Sequence, residues 1–290
     1  MKPMRKSEAP ELEVRVAKGA GACYGVRRAI EMAHEAAEGA AQGTPVHTLG
    51  PLIHNPRVVE ELARDGVEVA DSLDAAHGGT LVLRSHGTAP ALVEEAHARG
   101  FHVVDATCPY VSKVQEQARR LANEGYAVLI VGEPGHAEVE SIRAWGGGAV
   151  CAVCDSADAL PDALPARLGV VVQTTQSACR VESVLDAVRG RVQELRVEKT
   201  ICSATEKRQK AAAELACESD VMLVVGGHNS GNTTRLAETA ARGCARVHHV
   251  ENVQEVEPAW FREGDKVGVA AGASTPQGQI DEVVAYLRGL

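Results

Sequence analysis

Aromatic rings are scarce in this chain. Two Trp, two Phe and four Tyr make up only 3% of its 290 residues. A core this poor in rings has to be built from Val, Leu, Ile and Ala. Long apolar runs are also missing, since none approaches the ~18 residues a membrane-spanning helix requires. The basic start, MKPMRKSEAPELEV, has no apolar h-region, so no secretory signal is expected and residues 1–12 read as a loose leader. Surplus positive charge is lacking too. The net charge of −9 argues against binding nucleic acid or an anionic membrane surface, while leaving room for an anionic small molecule in a local pocket. No G-x-G-x-x-G fingerprint appears, so no tightly bound nicotinamide or flavin is expected.

What is present is ordinary for a soluble globular protein: 45% hydrophobic and 24% charged residues. The length predicts about two domains, with one or three also open. A cytosolic location follows from the missing signals, and cytosolic thiols stay reduced. The eight cysteines are therefore not expected to form a disulfide framework.

Short apolar runs recur at residues 80–84, 102–106, 126–131, 169–173, 220–225 and 265–271. They are continuous rather than alternating, as strands covered on both faces of a parallel sheet should be. Segments with helical spacing, such as 111–125 and 205–219, lie between them. Alternating strands and helices imply an α/β fold. Each strand runs into small or chemically active residues: Ser85-His86-Gly87, Cys108, His136 and Glu138, Thr174-Thr175-Gln176, Ser230 and Asn232, and Ser274. Ligands of open parallel sheets sit at the carboxyl ends of the strands.

Three cysteines share a second pattern. Cys23, Cys108 and Cys202 each stand at the predicted start of a helix, spaced by 85 and 94 residues. The chain thus reads as three similar α/β units: 13–107, 108–201 and 202–290. A helix start lowers a thiol's pKa through its dipole and free N–H groups. Three converging thiolates need a cation. A structural zinc site wants a fourth ligand, whereas an iron–sulfur cluster held by three leaves one iron open as a Lewis acid. Three unrelated buried cysteines are the plainer alternative.

The Cys151-x-x-Cys154 pair is the obvious decoy. It sits in a strand pattern, where positions three apart face opposite ways, and no second pair accompanies it. Cys179, Cys217 and Cys244 also read as structural. The segment from Gly226 to Thr233 nearly matches a P-loop but has Asn232 in place of lysine. Nucleotide hydrolysis is not expected there, although the backbone can still cradle a phosphate at the following helix; an ordinary turn is the alternative. Of eleven histidines, His54, His86 and His136 sit in strand-end loops, and the others read as helical or surface residues.

Nine ordered motifs, GACYGVRRAI, TLGPLIHNPRVVEEL, SHG, DATCPYVSKV, GHAEVES, QTTQS, TICSATEKRQ, NSGNTTRL and AGASTP, span residues 21–276. In these the chain resembles the 4-hydroxy-3-methylbut-2-enyl diphosphate reductase (IspH/LytB) family of the methylerythritol phosphate isoprenoid pathway. The resemblance implies three α/β domains in a trefoil around a central [4Fe-4S] cluster, with Cys23, Cys108 and Cys202 as ligands and an open apical iron. It implies that His54, His86, Ser230, Asn232 and Ser274 hold an allylic diphosphate. It places His136, Glu138 and Thr174 near the substrate hydroxyl, with Glu138 as the acid. The implied reaction is a two-electron reductive dehydroxylation giving isopentenyl and dimethylallyl diphosphates, with a ferredoxin- or flavodoxin-type electron donor. The sequence departs from the family's common residues at Thr88, Ser141 and Gly231. A related dehydratase with another substrate and a non-enzymatic iron–sulfur sensor are the rival readings; the diphosphate set argues against the first and Glu138 against the second.

Overall fold

The Val-rich runs form parallel strands. The computed structural model describes residues 12–290, so the expected leader lies outside the described residues except for Leu12. Those residues hold twelve strands: β1 (Glu13–Val16), β2 (Val46–Leu49), β3 (Val67–Ala70), β4 (Thr80–Leu83), β5 (His102–Asp105), β6 (Ala127–Val131), β7 (Val150–Cys154), β8 (Arg167–Val172), β9 (Glu194–Val197), β10 (Val221–Val225), β11 (Val247–Val250) and β12 (Lys266–Ala271). Nine α-helices lie among them: α1 (Tyr24–Gly39), α2 (Pro56–Arg64), α3 (Pro90–Ala98), α4 (Pro109–Asn123), α5 (Ala137–Gly146), α6 (Ala178–Val188), α7 (Ser203–Ala216), α8 (Gly231–Ala240) and α9 (Gln277–Leu287). Proline opens α2, α3 and α4, where its missing N–H costs nothing.

The strands make three parallel four-stranded sheets, ordered β3-β2-β4-β5, β7-β6-β8-β9 and β11-β10-β12-β1. These are one pattern used three times. The first and third strands of each set are central, and the second and fourth are edges. In the last sheet the fourth place belongs to β1, with Glu13 to Val16 in register with Lys266 to Val269. The expected boundaries 13–107, 108–201 and 202–290 are corrected here, because β1 completes the third sheet instead of opening the first. A parallel edge strand always arrives by a long connection, so a distant segment can fill it. Each of the three cysteines then follows the fourth strand of a sheet: Cys23 after β1, Cys108 after β5 and Cys202 after β9.

The chain divides into two compact units. One is Cys23–Glu206 and holds the first two sheets. The other joins residues up to Ala22 with Lys207–Leu290 and holds the third. Each sheet is covered on both faces. Val46 and Val82 pack with Val58 and Leu62 of α2, while Leu81 and Leu83 face Ala96 of α3. Leu129 and Val170 meet Val184 and Leu185 of α6, and Ile130 and Val171 meet Val114 of α4 and Ile142 of α5. In the other unit Leu223 and Val269 pack with Ile280 and Val283 of α9, while Met222 and Val224 pack with Ala216 and Leu236. Burying each such aliphatic side chain contributes roughly 1.5–3 kcal/mol, so the carboxyl-end loops rest on rigid strands. Among the described residues no helix is long and apolar enough to cross a membrane.

Candidate active site

Cys23 and Cys108 are the N-cap residues of α1 and α4, and Cys202 immediately precedes α7. The predicted helix starts are all observed. All three thiols are free and half-buried. The N–H groups of Tyr110 and Val111 point at the Cys108 sulfur, as a helix start requires. Its pKa nevertheless lies above the ordinary value, because burial outweighs those N–H groups and Cys23 and Cys202 add their own fields. The expected lowering is thus reversed at Cys108. The Cys202 sulfur accepts from the Thr205 N–H at 3.3 Å, with the Thr205 hydroxyl 3.0 Å away. Gly25, in the first turn of α1, gives Cys108 its room: a Cβ there would lie 2.4 Å from the Cys108 sulfur.

The central strands of the first two sheets carry the loops beside these cysteines. After β4, Arg84 to Gly87 make a turn closed by the Gly87 N–H on the Arg84 carbonyl at 3.0 Å, with Gly87 at φ +80°. Ser85 in that turn donates its hydroxyl to the Leu52 carbonyl at 3.0 Å and accepts the Cys108 N–H on its own carbonyl at 3.0 Å. After β8 the relation repeats, with the Thr174 carbonyl accepting the Cys202 N–H at 3.0 Å. In both sheets a helix-start cysteine is therefore pinned to the end of a central strand.

Those strand ends bring the predicted polar residues of this unit together. Ring centroids of His54 and His86 are 4.3 Å apart, and His136 lies 5.2 Å and 5.6 Å from them. Burial holds His54 below its ordinary pKa, with Arg84 adding to the effect and Glu133 opposing it. Burial pushes His86 further down, followed by the fields of His54, His136 and Arg84. The His54 and His86 rings are therefore neutral at pH 7. Each of the three offers a nitrogen within 4.8 Å of the others, close enough to hold one metal ion. The hydrogen bonding points elsewhere. His136 caps α5, and its Nδ1 accepts the Glu138 N–H at 3.1 Å. A neutral ring that accepts at Nδ1 carries its proton on Nε2, so His136 offers a donor and not a lone pair. That suits an anion better than a cation.

Glu138 belongs to the first turn of α5 and not to a loop as expected, and it is buried at 2% exposure. Thr174 donates its N–H to Oε1 at 2.6 Å and its hydroxyl to Oε2 at 2.8 Å. The pairing of these two residues is thus direct.

In the other unit, Ser230 caps α8 and accepts the Thr233 N–H at 3.4 Å. Asn232 Nδ2 is buried without a hydrogen-bond partner, which leaves a donor for a ligand. Ser274 follows β12, the neighbour of β10, so both central strands of this sheet also end in predicted residues. The P-loop-like segment is therefore a strand-to-helix turn as read.

Cys151 is exposed and Cys154 buried on β7, in line with opposite faces and against a shared ion. Of the departures, Ser141 accepts from Gln115 Nε2, and the Thr88 carbonyl accepts from Trp145 Nε1 at 3.2 Å. Four histidines read as helical or surface residues, His47, His102, His248 and His249, lie on strands, and His47 is buried. Sequence reasoning placed Ser85 at a strand end beside His86, but not its bonds to the Leu52 carbonyl and the Cys108 N–H, which depend on distant segments. It passed over Arg84, whose only signal is a lone cation ending the apolar run TLVLR.

A family model described as LytB protein matches residues 14–288. The chain is 45% identical over 276 residues to a 4-hydroxy-3-methylbut-2-enyl diphosphate reductase of Geotalea uraniireducens, covering 95% of this chain and 97% of that one. It is also 45% identical over 277 residues to the reductase of the same name from Geobacter sulfurreducens, at 96% and 97% coverage. A solved structure of (E)-4-hydroxy-3-methyl-but-2-enyl diphosphate reductase, described as the terminal enzyme of the non-mevalonate pathway, superimposes with TM-score 0.69 at 36% identity, covering 96% of this chain and all of that one. The E-1-hydroxy-2-methyl-but-2-enyl-4-diphosphate reductase of Plasmodium falciparum gives TM-score 0.87 at 25% identity, with 96% and 88% coverage.

Proposed function

The chain belongs to the LytB protein family, and on that premise we propose that it is a 4-hydroxy-3-methylbut-2-enyl diphosphate reductase. It removes the allylic hydroxyl as water, using two electrons and two protons, and yields isopentenyl and dimethylallyl diphosphates. The observation that carries the reading is one residue: the Thr174 carbonyl accepts the Cys202 N–H while its own N–H and hydroxyl donate to the buried Glu138. A thiol and a proton-handling pair are thereby tied to one strand end.

Cys23, Cys108 and Cys202 would hold a [4Fe-4S] cluster with an open apical iron. The residues fit it. Cys108 feels the charge of Cys23 and Cys202, yet among the described residues the only trio of candidate ligands within single-ion spacing is the histidines. Wider spacing suits a polynuclear group, and Gly25 leaves the Cys108 sulfur its room. When bound, the cluster supplies electrons and a Lewis-acid iron; a ferredoxin- or flavodoxin-type protein renews the electrons.

The remaining work falls to side chains. His54, His86, Ser230, Asn232 and Ser274 hold the diphosphate with neutral donors. His136 presents its Nε2–H at the same place. Hydroxide is a poor leaving group and water a good one, so a proton must reach the C–O bond. Glu138 is the proton source: with Oε1 held by the Thr174 N–H, a protonated Oε2 donates to the Thr174 hydroxyl oxygen 2.8 Å away as that hydroxyl gives its own proton to the leaving group. Burial of the pair keeps bulk water from competing for it.

The test is an anaerobic assay of the holoenzyme with a reduced donor and the allylic diphosphate, identifying products. Formation of the two isoprenoid diphosphates supports the reading. Inactivity in a cluster-loaded, folded enzyme refutes it.

A further inference from the structure

Arg84 is a cation without a partner. It follows β4 and opens the turn that carries His86. Its Nε is buried and makes no hydrogen bond. No carboxylate pairs with it among the described residues, although Asp71 and Glu140 line the same cavity of about 520 Å³. Its Nη1 fits against Gly50, where a Cβ would approach it to 3.0 Å. Gly50 starts the loop that runs on to His54, so Arg84 touches one histidine loop and belongs to the other.

The side chain as a whole is half-buried, but a cation whose Nε is shut off from water with no counter-charge beside it carries a desolvation cost that no carboxylate offsets. Burial lowers its own pKa, yet it stays charged. Such a group is explained if an anion arrives with the ligand. The charge balance of the histidine cluster points the same way. Burial holds His54 and His86 neutral, and Glu133, whose field reaches His54, is adverse to a polyanion. Arg84 is the one cation whose field is felt at both His54 and His86.

Resting on the reading above, we propose that Arg84 is the charge-balancing residue of the diphosphate site, positioned behind His54 and His86. It offsets the ligand's charge once the diphosphate is bound.

The test is calorimetric titration of anaerobic holoenzyme with inorganic diphosphate, for the parent, Arg84→Gln, Arg84→Met and Arg84→Lys. Either folded neutral variant suffices, with folding checked by thermal midpoint and iron content. Neutral variants should lose about tenfold in affinity, since a half-buried charge is screened less than an exposed one. Arg84→Lys should stay within about threefold of the parent, because the role needs charge and not a planar fork. In turnover, KM should rise while kcat holds. Unchanged diphosphate affinity in a neutral variant overturns the proposal and leaves the functional reading standing. So does a lysine variant as weak as the neutral ones. A parent enzyme that does not bind diphosphate sinks the functional reading and this proposal with it.

Discussion

Replacing Gly25 by alanine tests the cluster assignment at its tightest point. The added Cβ would lie 2.4 Å from the Cys108 sulfur and 3.2 Å from its Cβ. Ordinary contacts between such atoms fall near 3.5–4.0 Å, so the shortfall at sulfur is about 1 Å. Two relaxations are open. The start of α1 can shift, which costs about 1–3 kcal/mol as overpacking does and is partly offset by the better helix propensity of alanine, about 1 kcal/mol. Alternatively the Cys108 side chain moves, and a ligand displaced by about 1 Å no longer fits a rigid inorganic group. Both routes disturb Cys23 or Cys108, because one residue separates Gly25 from the Cys23 cap. Cluster retention should weaken by about 10–100-fold, the usual effect of losing a supporting residue at a metal centre. The assay is iron and sulfide per chain after anaerobic gel filtration, with the rate of loss to a chelator. Gly39→Ala, at the far end of the same helix with nothing within 4 Å of its Cβ, is the matched control and should keep its iron. A Gly25→Ala protein with full iron, full sulfide and unchanged chelator resistance would refute the packing argument and remove Cys108 from the ligand set.

Glu138→Gln keeps the shape and the Thr174 N–H bond but cannot carry a proton; it should retain iron and diphosphate binding while turnover falls by about 10²–10⁴-fold. Near-normal turnover would move the proton to another group. His54 and His86 are held neutral by burial, so the unfolded chain binds more protons than the native one below about pH 6.5. Stability from these groups is therefore complete above about pH 6.5 and lost as the pH falls below it. His86→Asn should flatten the decline of the thermal midpoint on acidification, and a midpoint equally steep in both proteins would count against it. Cys151→Ser and Cys154→Ser should both retain full iron. The second, which puts a hydroxyl into a buried apolar cluster, should cost about 1–3 kcal/mol in denaturant unfolding. Iron loss in either would reopen the Cys-x-x-Cys pair as a ligand site.

Much of the site could be read before any coordinates. The runs at 80–84, 126–131 and 220–225 became β4, β6 and β10 because doubly covered parallel strands leave an unbroken apolar signature. Cys108 could be placed at a helix start because Pro109 and the amphipathic segment after it leave little choice of frame. The active residues could be placed at carboxyl ends because the strand signal stops just before them. Shorter strands were harder: β3 and β9 carry Glu, Arg and exposed positions, as edges do, and have no unbroken run to detect.

Local signals determine local facts, and this sequence determined its α/β class, its helix-start thiols and the order of its loops. Only the tertiary structure decided that β1 closes the third sheet, since pairing Glu13 with Lys266 depends on which edge is free and not on any neighbour in sequence. It likewise decided that Glu138 lies in a helix beneath Thr174, that burial and neighbouring thiols outweigh the helix start at Cys108, and that Arg84 stands unpaired behind two imidazoles. Desolvation and through-space fields fall off with distance in three dimensions, and that distance exists only once the strands have brought their ends together.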